Sequence, residues 1–243
     1  MLLNLFAQGY PFNVTIGLLV LHLFCIIMAL SVHELAHGYA AYKMGDDTAR
    51  LAGRLTLNPL AHIDPVGFLM MVLVGFGWAK PVPINTLRFR EQRKGLAVVS
   101  FAGPLSNLVL AFFSALLCCL LNALGYAPVL YAAFAPLNVL AYTLYVFALL
   151  NIGLALFNLI PLPPLDGSNI LLSFLKPHAA QKYMQIRYYT RYIFLGLMAI
   201  SFLADRIPIF ALIYEMIWWP FNELRYLLID WIFALGNFIF RFI

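Results

Sequence analysis

Residues 95–165 contain no Asp, Glu, Lys or Arg. A stretch of that length without charge cannot stay soluble, and a 243-residue globule could not hide it. Residues 1–32 are equally free of charged side chains. With 64% hydrophobic and 10% charged residues, the chain is read as an all-α polytopic membrane protein.

Breaks in the apolar pattern predict about five to six transmembrane helices. A first span over 14–43 stops at Gly45-Asp46-Asp47, where glycine suits a helix end. Residues 65–79 are apolar but short for a crossing, and Lys80-Pro81-Val82-Pro83-Ile84-Asn85 follows directly. Alternating prolines forbid a helix there and favour an extended edge. Basic residues flank the stretch on both sides, so a re-entrant segment with an extended (β) part is expected at about 65–85. The long uncharged run holds two spans, 95–121 and 136–160, broken at 122–136 by Gly125, Pro128 and Pro136. A further span covers 188–204 and ends at Asp205-Arg206-Ile207-Pro208. Residues 209–243 read as an interrupted or partly interfacial helix, with Trp218, Trp219 and Trp231 suited to the membrane boundary.

No repeat or soluble segment divides the chain, so one membrane-embedded domain is expected over 1–243, with a core at 14–167 and C-terminal helices over 168–243. Cys25, Cys118 and Cys119 all lie in apolar runs and read as small hydrophobes. Twelve of the fifteen Lys and Arg fall in 43–94 and 176–191. The positive-inside rule makes that side cytoplasmic and puts the N-terminus outside, in a cell membrane.

Against this background His33-Glu34-Leu35-Ala36-His37 stands out. On a helix the two histidines lie about 40° apart around the axis and about 6 Å along it, so both can reach one metal ion. Glu34 could then take a proton from metal-bound water. The pentapeptide alone leaves a helix-packing pair equally open. Lys43 follows His37 by about 9 Å of helix rise, and Asp166 closely precedes the basic stretch that starts at Lys176. Both therefore belong near the cytoplasmic ends of spans. A carboxylate at the depth of two histidines would leave a fourth zinc position open. His62 and His178 read as solvated loop residues.

Asn158-Leu159-Ile160-Pro161-Leu162-Pro163-Pro164-Leu165-Asp166-Gly167, taken with the His33–His37 motif, resembles the site-2 protease family of intramembrane zinc metalloproteases. Gly103-Pro104-Leu105-Ser106-Asn107 is similar to that family's G-x-x-x-N motif. Gly77-Trp78-Ala79-Lys80-Pro81-Val82-Pro83-Ile84-Asn85 is similar to its re-entrant element. The resemblance implies one Zn²⁺ held by His33, His37 and Asp166, with Glu34 as general base and acid. It also implies substrate contacts from Asn158, from Pro81, Val82, Pro83, Ile84 and Asn85, and from Gly103 and Asn107, though the last two are as readily helix-packing residues. The partners implied are transmembrane protein substrates and the lipid bilayer, not nucleic acid. The PDZ and CBS domains of larger relatives have no counterpart in the sequence. A divalent-metal transporter and an inactive helix-binding scaffold are the competing functions. The lack of repeats speaks against the first, and the complete set of His33, Glu34, His37 and Asp166 against the second.

Overall fold

The structure is a computed structural model and describes residues 9, 11–74, 77–126, 128, 136–204 and 207–241. Among the described residues eight α-helices follow in order: α1 (Phe12–Met44), α2 (Thr48–Leu51), α3 (Pro65–Val74), α4 (Gln92–Ala123), α5 (Pro136–Asn158), α6 (Asp166–Phe174), α7 (Pro177–Ala204) and α8 (Pro208–Ile239). By length and composition α1, α4 and α5 can cross a membrane. These are three of the five to six spans expected. Helices α7 and α8 are long enough, at 28 and 32 residues, but charged residues interrupt their apolar sequence. Parts of two expected breaks, at 127 with 129–135 and at 205–206, and residues 75–76 of the expected re-entrant segment lie outside the described residues.

Helix α4 is the hub and packs against α1, α5, α6 and α8. Lipid supplies no hydrophobic drive between helices, so small residues that allow close approach hold the bundle. Ala111 and Ala115 of α4 meet Ala148 and Ile152 of α5 and Ile229 and Ile232 of α8. A Cβ on Gly236 of α8 would stand 2.6 Å from the Cys119 sulfur of α4. All three cysteines are free and buried, as small apolar side chains would be.

The tail differs from its expected form. Helix α8 runs unbroken through Pro220. An interior proline costs about 3 kcal/mol in an isolated helix. Here Trp218 stacks on Phe157 of α5 and meets Phe221 edge-on, which holds the turns on both sides of the proline.

The 65–79 stretch leaves and comes back to one place. Helix α3 departs just after Ile63, which pairs with Ala79 in a single antiparallel bridge. The Lys80 N–H donates to the His62 carbonyl at 2.8 Å. This closure covers His62, which is 2% exposed and bonds the Thr56 carbonyl through Nε2, so it is not the solvated loop residue expected. Among the described residues 80–85 forms no β-strand. Pro81 and Pro83 have no N–H to give a ladder, so pairing stops at the one bridge.

Gly45 ends α1 with φ 110°, in the left-handed region, its N–H turned back to Tyr42. Asp46 then ties this end to the 80–90 segment. Its carboxylate accepts the Asn85 N–H at 2.7 Å, the Thr48 N–H at 3.1 Å and the Thr48 hydroxyl. Arg90 N–H donates to the Met44 carbonyl at 3.0 Å, and Arg88 pairs with Asp47.

Burial pushes the Asp46 carboxyl up, but the Thr48 hydroxyl, the N–H groups of Asn85 and Thr48, and Arg88 together hold it below the ordinary value. A depressed carboxyl contributes stability above its unfolded pKa of about 3.9, and that stability is lost as pH falls through the lower folded value. Melting temperature in detergent should therefore drop more steeply below about pH 4 for the wild type than for Asp46→Asn. At neutral pH Asp46→Ala should cost about 1–3 kcal/mol, because it strands buried donors. Parallel curves for the wild type and Asp46→Asn would remove this clasp from the account.

Candidate metal centre

His33 and His37 sit one turn apart on the buried side of α1, their rings edge-on at 4.6 Å. Asp166 is the first residue of α6 and reaches them from the far side. The turn that delivers it leaves α5 at Asn158 and doubles back so tightly that a Cβ on Gly167 would strike the Leu159 carbonyl. Glycine after Asp166 is therefore a steric requirement. His33 Nε2, His37 Nε2 and Asp166 Oδ2 form a triangle with edges of 3.0, 3.1 and 3.2 Å.

The protons of this group are fixed from behind. His37 Nδ1 lies 2.7 Å from the Val99 carbonyl, which can only accept, so Nδ1 carries a hydrogen and in the neutral ring Nε2 keeps its lone pair. His33 Nδ1 lies 2.5 Å from Asn107 Oδ1. The direction of that bond is set two helices away. Phe147's carbonyl accepts from Asn151 Nδ2 at 2.8 Å, so Asn151 Oδ1 faces Asn107 and accepts its Nδ2 at 2.7 Å. Asn107 Nδ2 also reaches the Ala29 carbonyl at 3.4 Å, which leaves Oδ1 to accept from His33. Both histidines thus present bare Nε2 atoms toward each other and toward a carboxylate.

Three electron-rich atoms in contact repel unless a proton or a metal cation lies between them. Asp166 Oδ2 is buried and finds no hydrogen-bond donor. Tetrahedral zinc with ligands at about 2.0–2.1 Å requires ligand atoms about 3.4 Å apart, close to the triangle seen. A Cβ on Gly103 would lie 2.6 Å from His33 Nε2 and closer still to His37 Nε2. Any side chain at 103 would fill the metal's place. The residues present fit a three-ligand zinc site with room for a fourth ligand.

Glu34, half-buried beside the pair, accepts the Val82 N–H at Oε2 over 2.8 Å. Val82 is turned toward α1, with its side chain against Gly38. Pro81, Ile84 and Asn85 are exposed, and Pro83 is half-buried. Asn85 Oδ1 accepts the Leu87 N–H and caps the following turn. Asn158 is half-buried and donates to Leu154 in its own helix. Asn107 is fully buried and turned to His33 rather than to a surface where a substrate could lie. Asn151 and the Val99 carbonyl belong to the site but had no place in the motifs. The one sequence signal for Asn151 was an amide in an uncharged apolar helix, which must find a partner there.

Outer-shell partners of zinc ligands typically carry ten- to hundredfold of metal affinity. Asn151→Leu frees Asn107 to rotate, and it should lower zinc retention against a chelator by about that factor while leaving the helical bundle folded. Gly103→Ala should lose the metal outright. Elemental analysis of the purified proteins reads both, and full zinc in Gly103→Ala would contradict the steric argument.

The profile of peptidase family M50 matches residues 123–200, a stretch that includes Asn158 and Asp166. A Bacillus subtilis protein named "Putative zinc metalloprotease YwhC" is 45% identical over 172 residues, covering 71% of this chain and 77% of that one. "Putative zinc metalloprotease Rip2" of Mycolicibacterium smegmatis is 30% identical over 169 residues, 67% of this chain and 60% of the relative. "Putative zinc metalloprotease MJ0611" of Methanocaldococcus jannaschii is 27% identical over 167 residues, 68% and 76% respectively. No solved structure matches the chain. Two bare imidazole nitrogens and a carboxylate at zinc spacing, together with these likenesses, place the chain in peptidase family M50, the site-2 proteases, as a zinc metalloendopeptidase.

Proposed function

We propose that this peptidase cuts transmembrane segments of membrane proteins near the cytoplasmic face, as in regulated intramembrane proteolysis. The observation that carries the reading is the position of the ligands. His33 and His37 lie on a helix of membrane length, and Asp166 follows directly on the end of another. A substrate reaching such a site arrives through the bilayer. The N-terminus is then extracytoplasmic, α7 and α8 add to the three apolar spans, and α3 dips into the membrane and returns. The Ile63–Ala79 bridge, which brings both ends of that excursion together, supports this topology.

Zinc bound by His33, His37 and Asp166 supplies a Lewis acid and an acidified water. Glu34 stands beside the ligands, where it can take a proton from the attacking water and pass it to the leaving amine. Val99 and the Asn107–Asn151 pair hold the Nδ1 hydrogens of both imidazoles, which turns each Nε2 toward the metal position. A helical substrate must unwind first, and the extended segment from Pro81 to Asn85 would hold the freed chain by backbone pairing. Asn158, eight residues before Asp166, would hold the substrate backbone near the cut.

Glu34→Gln keeps the size of the side chain but cannot accept the proton. In proteoliposomes with a single-span substrate it should retain zinc and lose about a hundredfold or more in cleavage rate. Wild-type cleavage by Glu34→Gln would refute the assignment. Topology is checked separately with single cysteines replacing Arg54 and Arg88. Both should label from one face of the membrane, and labelling from opposite faces would make residues 65–79 an ordinary crossing.

A further inference from the structure

Within Pro81-Val82-Pro83 one residue alone has a backbone N–H. That hydrogen goes to Glu34 Oε2 at 2.8 Å, while Glu34 Oε1 accepts no bond among the described residues. Both ends of the segment are pinned. Upstream, Lys80 donates to the His62 carbonyl at 2.8 Å, and Arg54 donates to the Lys80 carbonyl at 2.7 Å. Downstream, Asn85 donates to Asp46 at 2.7 Å. Val82 is 6% exposed, and its methyl would lie 3.1 Å from a Cβ on Gly38. The flanking prolines fix their own φ, and the second also restricts Val82 to extended backbone. A stiff, doubly anchored segment therefore aims its single donor at Glu34.

We propose that Val82 is a positioning residue whose amide sets Glu34, and that the opposite edge of the segment offers a substrate carbonyl acceptors only. The second part follows from strand geometry. In an extended chain the N–H and C=O of one residue point to the same side, and those of its neighbours point to the other. With Val82 facing α1, the outer edge of Pro81–Pro83 carries the carbonyls of Pro81 and Pro83 and no N–H. The substrate must then bring backbone N–H groups to this edge. This inference rests on the proposed cleavage of membrane segments and adds what the segment reads in them.

The test compares Val82→Pro, which removes the N–H, with Val82→Ala, which keeps it. Each is assayed for zinc content, kcat and KM on one model substrate in proteoliposomes. Val82→Pro should keep zinc and KM and lose about ten- to hundredfold in kcat, the scale expected for a displaced catalytic group. Val82→Ala, which trims the packing against Gly38 but keeps the N–H, should lose at least severalfold less kcat than Val82→Pro. Equal losses in both would make Val82 a packing residue and overturn the proposal, as would wild-type kcat in Val82→Pro. If Val82→Pro fails to load zinc, an ester in place of the Val82 amide keeps the chain's shape without the N–H and is judged by the same kcat criterion. On the substrate side, proline at the paired position should block cleavage and proline one residue away should not. Equal effects at both positions would overturn the acceptor-edge part. Activity in Glu34→Gln would instead sink the proposed function itself, so the two failures are told apart.

Discussion

Two imidazole nitrogens and a carboxylate oxygen stand within 3.2 Å of one another inside a helical bundle, and all three carry lone pairs. A proton on one imidazole or a metal ion among the three atoms relieves that repulsion, and the rest of the core serves to keep them assembled. Gly103 leaves the space, Gly167 allows the turn that brings in Asp166, and Val99 and Asn107 hold the rings from behind. Each of these contributions comes from α4 or from the α5–α6 turn, which explains why α4 packs against so many partners.

Polar groups inside an apolar bundle cost several kcal/mol when unpaired, and that penalty gives this site its precision. Asn107 and Asn151 can satisfy their amides only in one direction, because the Phe147 and Ala29 carbonyls are fixed acceptors. A water-exposed asparagine could turn over freely. Here a main-chain carbonyl in α5 dictates which nitrogen of His33 is left bare for metal. Pro104 of α4 has no N–H to give the Ser100 carbonyl, one residue along from the Val99 carbonyl that His37 uses.

Most of the framework was legible because it rests on local pattern. Uncharged runs gave the bounds of α1, α4 and α5 to within a few residues, since the membrane requires apolar length. His33 and His37 could be paired by helical period alone, and Asp166 by comparing depths. What stayed hidden depends on contacts between distant parts of the chain. Asn151 matters only through Asn107, and nothing in its own neighbourhood says so. His62 looked solvated because the hairpin that covers it closes through Lys80, far along the sequence. The proline pair around Val82 showed that the segment would be extended, but not which side its one hydrogen would face.

The extended segment carries the last constraint. A free edge inside a bundle would leave unpaired donors, yet residues 81 and 83 have none to leave. Proline thus allows this stretch to lie close to an active centre without demanding water or a neighbouring strand. The same chemistry denies it a full ladder, which is why pairing among the described residues stops at Ile63 and Ala79. Anchoring passes instead to side chains at its ends, Arg54 on one side and Asp46 on the other, both in the polar layer that follows α1. The helix that carries His33 and His37 is therefore continuous with the loop that anchors the segment holding Glu34. A shift of α1 would move the two histidines, Glu34 and the edge as one body, relative to Asp166 on α6.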